Sequence, residues 1–307
     1  IELLEPLFKK GLNTQPSITD QRMGSFVFND ITFALTELGD VRKALEHGKG
    51  GIKQFLKSAD AKNVVGAMLG YAVNLRNQNL LATPKNIYML ARQLAESAND
   101  LSVMGATDAA QMALDVYRGA WVDAQAAYKR YGDNEAHISR SAIRPGTIEQ
   151  FKARTQFYIG EEDPRSVLQT GLKRAQEGRA LKEQMRLHAL SAQVELAAGE
   201  LTLADESLDQ ALAIAKRSGS FSQAPYTALL AEIRLAQGEV QAAKDLIDEA
   251  FSLTMIEFDK AAIYNSAAIV YHGAGDPERA RDYALQAYTV AWADGEPYSQ
   301  WYELKRA

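Results

Sequence analysis

The chain has 307 residues, 47% hydrophobic and 24% charged with only 8 prolines, which excludes a disordered polymer and leaves ample apolar surface for a core. A net charge of −5, with basic residues scattered in doublets such as Lys173-Arg174 and Lys216-Arg217, disfavours a phosphate backbone, so no nucleic acid is expected as a direct partner. The lack of cysteine excludes disulfides and thiolate chemistry, and no run approaches the ~18 apolar residues of a membrane span. A cytoplasmic chain off the membrane is the expectation.

The opening Ile1-Glu2-Leu3-Leu4-Glu5-Pro6-Leu7-Phe8 reads as the middle of a helix with no initiator Met, so the chain is read as a fragment of a longer protein. Phe28 followed by Leu38-Gly39-Asp40 and Ala44 reads as a helix–hinge–helix unit. Glycine supplies the turn conformation, and the small residue beyond it lets two antiparallel helices approach. Gly48-Lys49-Gly50-Gly51 lacks the upstream glycine and the hydroxyl after lysine that a phosphate loop needs, and reads as a frayed or tightly packed second helix. A further pair centres on Gly70 and Ala91, with an extended hinge over 77–83 and Thr83-Pro84 as a helix start. Arg118-Gly119 with Ala124 and Tyr128 forms the next hinge.

Continuity is weakest over 132–147, where Gly, Asp, Asn, two serines and Arg144-Pro145-Gly146 cluster. This stretch reads as a longer inter-repeat loop within a single array over 1–307, or as a weak subdivision between two subarrays. Thr147 with Gln150 gives a capping-box spacing. Ala153 with Gly160 repeats the hinge, lengthened by Glu161-Glu162-Asp163, and Asp163-Pro164 starts the following helix.

The C-terminal half carries the clearest repetition. Leu196-Ala197-Ala198-Gly199-Glu200, Leu235-Ala236-Gln237-Gly238-Glu239 and His272-Gly273-Ala274-Gly275-Asp276 are each followed five residues after the glycine by Ala204, Ala243 or Ala280. Leu208, Ile247 or Ala284 comes next, then Ala211, Ala250 or Ala287, and seven residues before each glycine lies Ala192, Ala231 or Ala268. From Gly199 to Gly238 is 39 residues and from Gly238 to Gly275 is 37, slightly above the ~34 of a tetratricopeptide period. Larger apolar positions such as Leu203, Leu208 and Leu212 are expected to face the neighbouring pair. Asp276-Pro277 marks the last of these helix starts.

This small–glycine–small–large–small pattern resembles the tetratricopeptide repeat family. His188, Thr227 and Tyr264 stand where the family carries an aromatic, so the units are divergent. The resemblance implies an all-α, right-handed superhelical solenoid of about seven antiparallel helix pairs. It also implies that the first helix of each pair lines an inner wall. The positions carried over are Thr147, Gln150 and Arg154; Arg186, Ala189 and Gln193; Thr227, Ala228 and Glu232; and Asn265, Ile269 and His272. Gln150, Arg154, Arg186, Gln193, Glu232, Asn265 and His272 are the candidate partner-binding residues among them. Such a lining suits a peptide backbone or a polyhydroxylated small molecule.

Catalytic chemistry is not foreseen. His47, His137, His188 and His272 show no metal-ligand spacing, the acidic pair Glu161-Glu162 has no partner acid, and no cofactor or metal is expected. The aromatics Tyr283, Tyr288, Trp292, Tyr298, Trp301 and Tyr302 read as core packing between the last two helices, or as a stacking platform for a partner. The stretch from Val290-Ala291-Trp292-Ala293-Asp294-Gly295-Glu296-Pro297-Tyr298 into Tyr302-Glu303-Leu304-Lys305-Arg306-Ala307 resembles the end of tetratricopeptide arrays in bacterial STAND-type signal-transduction ATPases. The maltose-regulon activator family is similar in layout, with a helical sensor that binds its inducer. The expectation is a non-catalytic sensing region of a bacterial multidomain regulator, binding a protein or peptide segment or a small polar effector. A peptide receptor or adaptor acting alone and a dimerisation domain are the alternatives.

Overall fold

The structure is a computed structural model that describes residues 5–8, 17–18, 27–28, 30–32, 34–36, 39–57, 61–134, 143–160, 162–295 and 297–307. Residues 1–4 of the opening run, Leu38 of the first hinge, residues 135–142 of the 132–147 stretch (His137 among them), Glu161 and Glu296 lie outside them. Among the described residues the regular structure is helical, with no strand. The chain forms two compact units: Ile1–Leu114 with Asp123–Ala142, and Asp115–Val122 with Ile143–Ala307.

The first unit holds α1 (Val41–Lys57), α2 (Ala61–Asn77), α3 (Ala82–Ser97), most of α4 (Leu101–Arg118) and most of α5 (Trp121–Asn134). Helix α1 buries Val41, Ala44, Gly48, Gly51 and Phe55, the three-and-four spacing of one helical stripe. Its glycine run is a packing device. A β-carbon at Gly48 would stand 3.1 Å from Tyr71, and one at Gly50 would stand 3.2 Å from Phe28. Helices α1, α2 and α3 pack consecutively, and Phe55, Val64, Met68, Ala91 and Val103 share one apolar cluster. Asp108 is buried where it meets two arginines, with Arg92 and, at 2.9 Å, Arg130 Nε donating to its carboxylate.

In the second unit the elements are α6 (Thr147–Ile159), α7 (Arg165–Glu177), α8 (Leu181–Ala198), α9 (Leu201–Ser218), α10 (Gln223–Ala236), α11 (Val240–Ser252), α12 (Lys260–Gly273), α13 (Pro277–Ala291) and α14 (Trp301–Arg306). Each helix from α6 to α14 packs on the next, and the first helices also pack on one another: α6 on α8, α8 on α10, α10 on α12. That is the contact pattern of stacked hairpins, in which each pair buries its apolar face against the next.

The hinges explain the stacking. The Gly199 N–H donates to Leu196 O at 3.1 Å and the Glu200 N–H to Glu195 O at 2.9 Å. The same two bonds recur at Gly238 and Glu239, and at Gly275 and Asp276, closing off carbonyls that a helix end would leave bare. All three glycines have φ between 77° and 85°, and Gly39, Gly119 and Gly160 at the other expected hinges also have positive φ. Beyond the hinges, Ala204 and Ala243 have no exposed surface and Ala280 is buried. Ala192, Ala211, Ala231, Ala250 and Ala287 are buried as well, with Leu208 and Ile247 between the layers.

Four local expectations come out differently. In α12 the buried small residue is Ala267 rather than Ala268. Leu203 is exposed instead of facing a neighbour. Thr83 and Pro84 sit inside the first turn of α3, which starts at Ala82 with no side-chain cap; proline is tolerated there because first-turn N–H groups have no partner within the helix. Gly146, at φ 91°, takes the N-cap place before Thr147, so the capping box does not form. Asp276 does cap α13, accepting from the Arg279 N–H at 3.2 Å with Pro277 behind it.

Candidate functional site

The inner-wall positions lie on the first helices of the second unit. On α6, Gln150, Arg154 and Tyr158 follow one another at four-residue spacing and so share a face. Gln150 is buried, and its Oε1 has no hydrogen-bond partner among the described residues. Arg154 donates from Nη1 to the Tyr158 hydroxyl at 2.6 Å, and its guanidinium lies 5.5 Å from the Tyr117 ring centre and 5.6 Å from that of Tyr158. On α8, Arg186 is half-buried and so is Gln193, whose Oε1 also has no partner among the described residues. Burial pushes the nearby Tyr226 hydroxyl up to about 12, although the charges of Arg186 and Arg154 act the other way.

The last helix of the chain lies against this face. Glu232 on α10 accepts from Arg306 Nη2 at 2.6 Å and from the Ser266 hydroxyl. Asn265 on α12, only 2% exposed, donates from Nδ2 to Glu303 twice: to its carbonyl at 2.9 Å and its carboxylate at 2.8 Å. Tyr302 stacks on Tyr158 with ring centres 4.2 Å apart and planes within 8°. Trp301 meets Trp121 edge to face at 5.1 Å, and Tyr298 lies under the Arg118 guanidinium at 4.8 Å. The buried Gln300 donates from Nε2 to Phe258 O at 3.1 Å.

Electrostatics reinforce the arrangement. Burial opposes the Arg306 charge, but Glu232 and Glu303 outweigh it and hold its pKa above the usual arginine value. Burial pushes the Tyr302 phenol up to about 12 against the pull of Arg306, so both side chains keep their ordinary charge states at neutral pH. Glu232, Asn265 and the Phe258 carbonyl would each lose a hydrogen bond if residues 298–307 were elsewhere, which ties the tail to the wall by more than apolar contact.

Of the residues expected from sequence, Arg154, Glu232 and Asn265 are thus gathered by one segment, Arg154 through Tyr158. Gln150, Arg186 and Gln193 lie on α6 and α8, two of the same set of first helices. His272 stands exposed at the C-terminal end of α12, outside the cluster. The sequence reading did not single out Tyr117, Trp121 or Tyr158, and it named Gly119 only as a hinge. The aromatics it did flag separate into groups: Tyr283 packs with Phe251, Tyr264 and Tyr271, Tyr288 meets Trp292, and Tyr298, Trp301 and Tyr302 go to the wall. Among the described residues no three His, Asp or Glu side chains converge as metal ligands, and no helix is long and apolar enough to cross a membrane.

These features define a helical-hairpin array with a polar and aromatic wall on its first helices. No protein-family model matches the chain, and no curated protein matches it. Among solved structures, a tetratricopeptide repeat protein from Parabacteroides merdae ATCC 43184 is similar over 92% of this chain and 98% of its own, with 13% sequence identity and a TM-score of 0.47. The assignment to stacked helical hairpins rests on the hinges and layers described above.

Proposed function

We propose that this chain is a non-catalytic recognition module whose first-helix wall in the second unit binds a polypeptide segment. The observation that supports the reading is the seating of residues 298–307 on that wall, through two aromatic rings, a carboxylate and a guanidinium at once. A surface that holds one short peptide by side-chain-specific bonds has the chemistry to hold another. The unsatisfied amide oxygens of Gln150 and Gln193 add acceptors on the same helices. The test is to pan a displayed library of short peptides against the immobilised chain. Enriched peptides should lose at least tenfold in affinity on Glu232→Ala or Arg154→Ala variants that keep their helical circular dichroism. Enriched peptides indifferent to both substitutions would remove the reading.

The finer reading is that the module serves as the sensing region of a bacterial multidomain regulator of the STAND type. It is supported by the run from Val290 to Tyr298 and on into Tyr302 to Ala307, whose Tyr298, Tyr302, Glu303 and Arg306 touch the wall. It requires a nucleotide-binding motif in the same polypeptide, and a complete reading frame without one would eliminate it. A thermal-shift screen with sugars and nucleotides separates a small effector from a peptide; a ligand at 100 times its dissociation constant should add about 2.7 kcal/mol.

A further inference from the structure

Residues 298–307 meet the wall in a definite order. Tyr298 lies under Arg118, Trp301 against Trp121, Tyr302 on Tyr158, Glu303 at Asn265 and Arg306 at Glu232. The contacted residues come from the end of α4, the start of α5, and α6, α10 and α12. The segment therefore spans several layers of the stack and does not simply extend the last hairpin.

Two properties of α14 set it apart from the helices it touches. It has six residues, far below the length at which a helix is stable in water by itself, so its conformation depends on the wall. It is also tethered closely: the run after α13 turns back at once, and the Gln300 N–H donates to Ala291 O at 2.6 Å. A docked, short, tethered helix is in local equilibrium with an undocked form, at an effective concentration of about millimolar.

We propose that the wall is a receptor for a short helical segment carrying two adjacent aromatics, an acid, and an arginine three residues beyond the acid, and that residues 298–307 occupy it in cis. A partner segment of that chemistry binds by displacing them. This inference rests on the peptide-binding reading above and specifies its ligand and its control. A tether at about millimolar effective concentration, competing with a free peptide of about 100 µM dissociation constant, weakens the free peptide's apparent affinity about tenfold.

The probe is a fluorescein-labelled peptide of residues 297–307, titrated by fluorescence anisotropy against the full chain. A chain with Trp301→Ala and Tyr302→Ala should bind it about tenfold more tightly than the unaltered chain. Glu232→Arg in that background should abolish binding, and the peptide carrying Arg306→Glu should restore it. Should circular dichroism show that the double variant loses helix, Arg306→Ala alone carries the same comparison. Equal affinity of altered and unaltered tails, failure of the charge exchange, or a concentration-dependent doubling of mass that traces to exchange of tails between copies would overturn the proposal. Library peptides of unrelated chemistry that bind the wall while the tail stays docked would sink this inference and leave the peptide-binding reading intact. Binding of no peptide to any of these folded variants would sink both.

Discussion

Gly119 shows how a single residue can serve two requirements. Its φ of 67° is a conformation that costs other residues about 1–2 kcal/mol, and a β-carbon there would stand 2.6 Å from Cδ1 of Trp301. Gly238, at φ 85°, has the first requirement without the second, because nothing lies within 4 Å of its would-be β-carbon. Gly238→Ala should therefore cost about 1 kcal/mol by urea denaturation and leave the tryptophan emission unchanged. Gly119→Ala should cost more, about 2–3 kcal/mol, and shift emission to the red as Trp301 leaves Trp121. Equal losses and identical spectra for the two variants would show that Trp301 does not rest on Gly119. His47 makes a different residue-scale demand. It is buried between Phe8 and Phe28, with neither ring nitrogen bonded among the described residues. Burial lowers its pKa, and the charge of Glu46 only partly opposes this. A lowered folded pKa means that stability is present above the ordinary value near 6.5 and is lost as pH falls from there through the folded value. Urea midpoints at pH 7.5 and 5.0 should differ less in His47→Leu than in the unaltered chain; an unchanged difference would show that His47 is not the group responsible.

At the scale of the element, close helix approach is set by alanine. Ala243 has no exposed surface at the crossing of α11 with its neighbours, so Ala243→Leu forces the hairpin open. The expected loss is about 2–3 kcal/mol in the urea midpoint. Leu203→Ala, at an exposed position one residue before the equivalent Ala204, should change stability by less than about 0.5 kcal/mol. A small effect of Ala243→Leu would mean that the helices are not in close contact there. These same features made the hairpins legible in sequence. A glycine that must take positive φ and an alanine that must vanish into a crossing leave few substitutes, so Gly199, Gly238 and Gly275 with Ala204, Ala243 and Ala280 stand out as a pattern. Helix starts were less legible, because a cap is a local preference that a neighbouring residue can satisfy instead, as Gly146 does before Thr147. The docking of α14 left no periodic trace. Asn265 and Glu303 are separated by 38 residues and Glu232 and Arg306 by 74, and nothing in the local spacing pairs them. The wall residues were nameable only because the hairpin pattern first assigned which helix is which.

At the scale of the whole molecule, each of the two units has apolar clusters of its own: Phe8, Phe28 and Ile31 with Leu35 and Ala44 in the first, and Ala228, Ile247, Ile263 and Val270 in the second. Stability in such a chain is a set of local values, because a stacked hairpin is held chiefly by its neighbours. The tail contacts described above lie within the second unit, so their removal should be read there. Arg306 and Glu232 are both mostly buried, with side-chain exposures of 15% and 11%, and losing a hydrogen bond to a charged group costs about 1.5–3 kcal/mol. In Arg306→Ala, hydrogen exchange followed by mass spectrometry should quicken about tenfold or more over α14, and by less over α10 and α12, since Glu232 keeps the Ser266 hydroxyl. Exchange over α1 to α3 should be unchanged. If protection instead fell by one common factor throughout the chain, the tail would be part of a single cooperative core, and a partner segment could displace it only by unfolding the array. Selective loosening of α14 is the behaviour that a reversible occupant requires.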